Sequence, residues 1–243
     1  MARILKNGQL SGVVSNLVFV QKGTTQYIRS KPAKVKQNAK TKAAASVFGW
    51  ISAKDKLYRQ LLLEKFPLIK DNRYAARHRA RMGKTLVTPS LSLPKSNPSV
   101  FQNPEALMGF DFNNDFLWTK ATQFYPEFSN NSDEVQCKIP LIQWGKQIKA
   151  PKNTIEAQLT FEAFSINPNA ETMEIVSLST WTVHLSFGQN QDATDWNFAV
   201  PDSATWVLIL GKVSFGGGTS VLSLNQKNAA TYLWAKNFGE GIV

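Results

Sequence analysis

Residues 155–164, IEAQLTFEAF, form the clearest strand pattern in the chain. Apolar side chains alternate with polar ones along its whole length. The apolar positions are Ile155, Ala157, Leu159, Phe161 and Ala163. A period of two is typical of a β-strand with one face buried and one face in solvent. We therefore expect this segment to lie in a sheet that covers a hydrophobic core.

The flanking sequence indicates further strands. Residues 174–187, EIVSLSTWTVHLSF, also alternate, and residues 204–215, ATWVLILGKVSF, form a continuous apolar run with a bend expected at Gly211. Gly216–Gly218 predicts a turn, with strands at 219–224 and 229–235 after it. Several short strands separated by turn residues favour an antiparallel β-sandwich or barrel over residues 108–243.

The N-terminal segment 12–31, GVVSNLVFVQKGTTQYIRSK, predicts a β-hairpin. Its first strand runs through the apolar residues up to Val20, and its second strand covers Gln26–Ser30. Lys22–Thr25 carries the turn residues between the two strands. Pro32 then ends the second strand.

Two helices are predicted after an exposed lysine-rich connection at 32–42. In residues 42–65, Val47, Trp50, Ile51, Lys54, Leu57 and Leu61 fall at spacings of three and four. That spacing indicates an amphipathic helix, which Pro67 ends or kinks. A second helix covers residues 71–84, with Asp71 or Asn72 as its N-cap and Gly83 as its end.

A proline-rich segment, residues 86–107, separates these helices from the strands. Four prolines, Pro89, Pro94, Pro98 and Pro104, preclude a continuous helix and favour an extended strap. We place the domain boundary here. The sequence thus predicts an α+β chain: a basic hairpin-and-helix module at 1–85, a linker at 86–107 and an antiparallel β-sandwich at 108–243.

The net charge of +11 is unevenly distributed. Residues 1–85 hold 19 Lys and Arg against 3 Asp and Glu, whereas residues 86–243 hold 9 against 14. Such asymmetry indicates a region that binds a polyanion. Two other interpretations stay open: a basic arm that lies on the acidic body of a neighbouring subunit, and a basic face that contacts only solvent.

The sharpest candidate site is an arginine ladder in the second helix. Arg73, Arg77 and Arg81 recur every four residues and so share one helix face. Guanidinium groups suit phosphate because each offers a planar fork of donors. We expect Tyr74 and His78 to be able to stack on bases. The full set of predicted polyanion-binding or partner-binding residues is Arg73, Arg77, Arg79, Arg81, Lys84, Lys34, Lys36, Lys40 and Lys42.

Other chemistry-bearing residues favour structural roles. Cys137 and His184 lie in strand sequences, so we predict a core thiol and a structural histidine. The DFNND motif with Asp111 and Asp115 lacks the Gly and distal Glu of an EF-hand, which predicts a turn or helix cap. Trp181 and Trp206 lie in apolar runs, which favours core packing over a sugar platform. We predict no catalytic residue, metal site, cofactor or small-molecule substrate.

The lengths of the apolar runs exclude a transmembrane protein and argue against a secreted one. No apolar run approaches the roughly 18 residues of a membrane span. The N-terminus MARILKNGQLSG lacks the apolar core of a secretory signal, so we expect a cytoplasmic or particle-associated protein.

The N-terminal pattern resembles a known family. It combines Gly8 and Gly12 before the hairpin, Lys22-Gly23 at its turn and Tyr27-Ile28-Arg29-Ser30 followed by Pro32. It is similar to uncharacterised proteins, common in Bacteroidota, that carry a domain of unknown function. The Val200-Pro201 turn and the closing strand with Tyr232 are also similar. The resemblance implies no activity, cofactor or site residue.

These observations leave three functional hypotheses. The first is a non-enzymatic structural or assembly protein whose basic module clasps a partner or neighbouring subunit, a virion or other particle component being one instance. The second is a nucleic-acid-binding protein that uses the Arg73–Arg81 helix. The third and weakest is a glycan-binding β-sandwich with Trp181, Trp196, Trp206 and Trp234.

Overall fold

The structure is a computed structural model that describes residues 2–5, 8–22, 25–31, 38–87, 100–131, 133–218 and 227–239. Strands dominate it, and all their pairings are antiparallel. The strands are β1 Arg3–Ile4, β2 Leu10–Val14, β3 Leu17–Lys22, β4 Thr25–Ser30, β5 Leu86–Val87, β6 Val100–Phe101, β7 Glu127–Asn130, β8 Glu134–Ile139, β9 Ile142–Gln143, β10 Glu156–Ile166, β11 Ile175–Ser186, β12 Asn190–Gln191, β13 Thr194–Ala199, β14 Trp206–Gly216 and β15 Asn228–Asn237. The helices are α1 Ala39–Lys65, α2 Tyr74–Lys84, α3 Trp118–Ala121 and a 3₁₀ helix at Pro104–Leu107.

The chain forms two compact units, Met1–Ala45 and Ser46–Val243, which we call the N-terminal unit and the body. The predicted boundary at 86–107 differs from this division. Phe101 and Leu107 are buried in a core that also contains residues of α1 and α2. Residues 100–107 therefore belong to the body, and the helices join the strands rather than the hairpin. The predicted strap residues 88–99 lie outside the described part of the chain.

The N-terminal unit contains a four-stranded sheet in the order β1-β2-β3-β4. The predicted pairing of residues 26–30 with the preceding strand is confirmed, from Leu17 opposite Ser30 to Lys22 opposite Thr25. The prediction of one continuous first strand up to Val20 was wrong, because a tight turn divides this segment into β2 and β3. Val14 pairs with Leu17 across that turn, and Ser15 takes a positive φ of 50°.

The body is organised around a four-stranded sheet in the order β11-β10-β14-β15. A second sheet, β13-β8-β7, packs against one face of it and encloses a core with Phe161, Ile209 and Cys137. The predicted α+β class with an antiparallel sandwich is confirmed. The alternation in 155–164 has the expected meaning from Ala157 onward, since Ala157, Leu159, Phe161 and Ala163 all point into this core. Ile155 was also predicted on the buried face, but it precedes β10 and is exposed.

The two longer helices cover part of the opposite face of the central sheet. Tyr58 and Leu62 of α1 and Met82 of α2 pack with Leu208 and Tyr232 in a second core. Since β14 is thus covered on both faces, it reads as a continuous apolar run. β14 also continues through Gly211 without the predicted bend. A methyl group at Gly211 would lie 2.7 Å from Leu233 Cδ1, so the glycine permits close packing.

Both predicted helices are confirmed, with corrections to their details. The buried face of α1 contains Ile51, Asp55, Tyr58 and Leu62, whereas Leu57 is exposed, so the predicted face is rotated by about one residue. The predicted caps of α2 were wrong. Arg73 is its N-cap, and the helix runs through Gly83 to Lys84, where Thr85 caps it.

Candidate polyanion-binding surface

The arginine ladder of α2 is largely engaged within the body. Arg77 forms an ion pair with Asp71 and donates to the backbone oxygen of Asp111 at 2.7 Å. Its guanidinium also lies 5.0 Å from the centre of the Phe110 ring. These contacts use donors that a phosphate would need, so Arg77 ties α2 to the segment around Asp111.

The other predicted basic residues of α2 are either in contact with the body or exposed. Arg81 donates to the backbone oxygen of Ala106 at 3.3 Å, and Arg79 lies 5.2 Å from the centre of the Phe48 ring. Arg73 and Lys84 are exposed at the two ends of α2. Two of the three ladder residues, Arg77 and Arg81, therefore serve the fold, and the exposed cations of α2 are Arg73 and Lys84 at its two ends.

A cavity of about 340 Å³ lies beside this helix. Arg77, Arg81 and Lys84 line one side, and Asp111 lies among the lining residues opposite. Burial raises the pKa of Asp111, although the Trp118 backbone N–H donates to its carboxylate at 2.8 Å and Arg77 opposes the shift. This hydrogen bond gives Asp111 the capping role that the DFNND motif predicted for it.

The predicted lysines of the N-terminal region lie at the start of α1. Lys40 and Lys42 are exposed in the first turns of the helix. The Asn38 side chain accepts hydrogen bonds from the Thr41 N–H at 2.8 Å and the Thr41 hydroxyl at 2.9 Å, which caps the helix there. Lys34 and Lys36 lie outside the described residues.

The expectation that Tyr74 and His78 stack on bases was wrong. Both side chains are buried, because α2 turns this face toward the central sheet. His78 is wholly inaccessible and lies edge-on to Phe110, with ring centres 5.2 Å apart. Neither ring can reach a nucleotide.

His78 instead belongs to a buried polar network that sequence analysis missed. Its Nδ1 lies 2.6 Å from Asp55 Oδ1, and its Nε2 lies 3.0 Å from the Tyr232 hydroxyl. The Tyr232 and Tyr58 hydroxyls are 3.2 Å apart. Arg59 Nε donates to the second carboxylate oxygen of Asp55 at 2.8 Å. The network joins α1, α2 and β15.

Burial governs the protonation of this network. Desolvation lowers the pKa of His78 despite the neighbouring Asp55 carboxylate, and Arg59 and Arg77 act in the same direction as desolvation. Burial likewise raises the pKa values of Tyr58 and Tyr232. A neutral His78 that donates from Nδ1 to Asp55 accepts at Nε2 from Tyr232. Asp55, Tyr58, His78 and Tyr232 are fully buried, so the network holds α1, α2 and β15 together.

A sequence signal for this network exists. Asp55 lies on the buried stripe of α1, four residues after Ile51 and three before Tyr58. A lone carboxylate at such a position requires a buried partner. The partner, His78, is on another helix, so the signal indicates that a partner exists without identifying it.

The cysteine, the tryptophans and the second histidine were predicted to have structural roles. Cys137 is buried, and burial together with Asp195 raises its thiol pKa to about 12. Trp206 is buried in a core as expected, whereas Trp181 is half-buried and packs against the edge of the other core. His184 is exposed on β11 rather than packed in a core. Among the described residues, no three His, Cys, Asp or Glu side chains form a group able to hold a metal ion.

The N-terminal unit is the more open cationic surface. Residues 1–45 contain nine Lys and Arg and no Asp or Glu. Every residue described in this unit is exposed or half-buried. On one face of its sheet Tyr27 and Arg29 lie beside Val18 and Val20, and on the other Phe19 pairs with Ile28. Tyr27 is 45% exposed and Ile28 is 56% exposed.

Comparison with known proteins gives little. No protein-family model and no curated protein matches the chain. A crystal structure of β-glucosidase from Kluyveromyces marxianus in complex with glucose is similar over 47% of this chain and 15% of that chain, at 13% identity and a TM-score of 0.23. A similarity this weak carries no functional argument. The family resemblance of the N-terminal motif stays a prediction. None of the described helices combines the length and apolarity needed to cross a membrane.

Proposed function

We propose that this chain is a non-enzymatic structural or assembly protein, in which the N-terminal unit binds a protein partner with an acidic surface. The body is the scaffold that carries this unit. The charge and exposure of residues 1–45 support the proposal most. These residues contain nine Lys and Arg and no Asp or Glu, and none of those described is buried.

Hydrophobic exposure is the first part of the argument. A small sheet needs a hydrophobic face packed on something to be stable in water. In the N-terminal unit, Leu17, Ile28 and Tyr27 keep much of their apolar surface in solvent. Each such side chain gains about 1.5–3 kcal/mol on full burial. A partner that covers either face would supply this burial.

Charge is the second part. Because residues 1–45 lack Asp and Glu, no carboxylate of their own offsets Arg3, Lys22, Arg29 or the lysines at the start of α1. An acidic surface complements this field, guides association and loses affinity as salt rises. An apolar patch edged by acidic residues is therefore the surface that fits.

A charge-reversal experiment tests the proposal. We would retrieve the tagged full-length chain from extracts of its own host at about 0.1 M salt, where screening is moderate. The variant Lys22→Glu/Arg29→Glu should lose a stoichiometric protein partner that the wild type retains. Both side chains are exposed, so the body should remain folded.

The matched control is Lys146→Glu/Lys152→Glu, which makes the same change in charge at exposed positions of the body. This control should retain the partner, and about 0.5 M salt should release it from the wild type. A wild type that retrieves no protein, or a partner lost equally from both double variants, would contradict the proposal.

Nucleic-acid binding is the second candidate, favoured by the cavity beside Arg81 and Lys84. Under this alternative, affinity for a single-stranded oligonucleotide would fall linearly with salt on logarithmic axes. Arg73→Ala/Lys84→Ala should then flatten that slope, since both side chains are exposed. Arg77 is unsuitable for this test because its contacts hold α2 in place.

A further inference from the structure

Strand β11 forms one edge of the central sheet. It pairs with β10 along its whole length, from Ile175 to Ser186. Across the parts of the chain that the structure describes, no strand or isolated bridge pairs with its other side. Twelve consecutive residues thus present one side of their backbone to whatever lies beyond the sheet.

The other edge of the same sheet, β15, is covered by a neighbouring segment. The backbone N–H of Gly109 donates to Tyr232, and that of Phe112 donates to Ala230, each at 2.9 Å. Asp111 forms a bridge with Thr231 between them. Residues 109–112 therefore cover the outer side of β15.

β11 contains one feature that limits edge pairing, a β-bulge at Leu178, but lacks the other usual ones. Its sequence, IVSLSTWTVHLS, contains no Lys, Arg, Asp, Glu or Pro. The edge strands of the second sheet are shorter and carry charges, Glu127 in β7 and Asp195 in β13. Natural sheets protect free edges by shortness, charge, proline or covering. An uncharged edge of twelve residues is suited to pairing with another strand.

Two exposed apolar residues mark the ends of this edge. Val176, near the start of β11, is 49% exposed, and Phe187, just after its end, is 71% exposed. In an antiparallel pair of two β11 strands, the start of one strand lies beside the end of the other. Each Val176 would then meet the Phe187 end of its counterpart, so self-pairing buries both apolar ends at once.

We propose that β11 is a dimerisation edge, at which a second copy of this chain pairs antiparallel to form a continuous eight-stranded sheet. A two-fold axis at Trp181 places Thr180 opposite Thr182 and Ser179 opposite Val183. These residues lie beyond the bulge at Leu178 and face each other with equal parity, so each face of the sheet continues across the centre of the interface. No like charges on the two strands oppose one another, and the contact closes as a dimer.

This inference does not rest on the proposed function. The dimer joins uncharged strands of two chains that each carry +11, so added salt screens the repulsion and should not weaken it. Binding of the acidic partner to the N-terminal unit should instead weaken as the salt concentration rises. The two proposals can therefore fail separately.

The test is the self-association of the full-length chain, measured by mass photometry and analytical ultracentrifugation up to about 50 μM, a moderate affinity range. The wild type should be a dimer at about 0.1 M and at about 0.5 M salt. Thr182→Lys, which places a protecting charge on the edge, should weaken dimerisation at least about tenfold. Thr180→Lys should have the same effect from the opposite position.

Thr119→Lys is the control, since it makes the same substitution at an exposed position of α3. It should dimerise like the wild type. Lys22→Glu/Arg29→Glu should also dimerise normally, and Thr182→Lys should retain the protein partner. A monomeric wild type throughout the concentration range, or edge variants that dimerise as tightly as Thr119→Lys, would overturn the inference. Circular dichroism confirms that each variant is folded.

Discussion

The two antiparallel sheets of four strands in this protein differ in what covers them. The central sheet of the body is packed by the second sheet on one face and by α1 and α2 on part of the other. The sheet of the N-terminal unit has no buried residue among those described. Both contain runs of β-branched and aromatic residues. Strand-forming sequence is therefore shared, and burial is what separates scaffold from binding surface.

The largest expected effect comes from cutting the same side chain in each sheet. Phe161→Ala, in the middle of β10, should lower the free energy of unfolding by about 3–5 kcal/mol, because it leaves a cavity in a closed core. Phe19→Ala, in β3, should change it by less than about 1 kcal/mol, since its ring is not enclosed. Denaturation in urea followed by far-ultraviolet circular dichroism measures both, since backbone signal comes from both sheets. Equal losses would show that the N-terminal sheet also has a closed core.

A pair of glycine substitutions should show opposite signs. Gly211→Ala should destabilise the body by about 1–3 kcal/mol, because the added methyl group lies 2.7 Å from Leu233 Cδ1 and 3.0 Å from Trp118. Gly49→Ala lies in the exposed half of α1 with no neighbouring atom within 4 Å. It should instead stabilise that helix by about 0.5–1 kcal/mol. Thermal unfolding by circular dichroism distinguishes them, and two changes of the same sign would contradict this interpretation.

The body should also be sensitive to acid through His78. Its folded-state pKa is lowered, so the unfolded chain binds the proton more tightly. The contribution of neutral His78 to the free energy of unfolding is therefore fully present above about pH 6.5, the ordinary histidine pKa. It is lost as the pH falls below that value. The slope contributed by one group is at most about 1.4 kcal/mol per pH unit.

Urea denaturation between pH 7.5 and 5 measures that slope, in a range roughly above the carboxylate titrations. His78→Gln should flatten it, whatever the variant does to absolute stability. His184→Gln is the control, because it makes the same substitution at an exposed position of β11. A slope that depends on His184 rather than His78 would contradict the role of the buried network.

How far sequence predicts this molecule depends on the range of the interactions. The alternation in 155–164 predicted β10 and its buried face, because side-chain direction in a strand is set locally. The arginine spacing in α2 was equally clear, yet it did not predict that Arg77 and Arg81 bond to backbone oxygens near residues 106–112. Those partners lie 25 or more positions away. Spacing predicts which residues share a face, whereas the fold determines what that face contacts.

The same reason explains the misplaced domain boundary. Prolines in 86–107 predict the absence of a long helix there, but a break in secondary structure is not a break in packing. Tyr58 and His78 precede that segment, and Tyr232 follows it by more than a hundred residues, yet all three share one network. The signal that α1 belongs with the strands was Asp55 on its buried stripe, which needs a partner outside its own helix.

The smallest expected effect concerns the beginning of α1, where the exposed residues meet the body. Asn38→Ala removes the side-chain acceptor for the Thr41 N–H, a loss worth about 1 kcal/mol locally. Residues 39–49 are exposed, so this loss should increase their amide hydrogen exchange about fivefold. The global free energy of unfolding should change by less than about 0.5 kcal/mol, because the core contacts of α1 begin only near Trp50, more than two turns after the cap. If Asn38→Ala instead lowered global stability as much as Gly211→Ala does, the start of the helix would be part of the folding core, and the contrast between a packed body and an open N-terminal unit would fail.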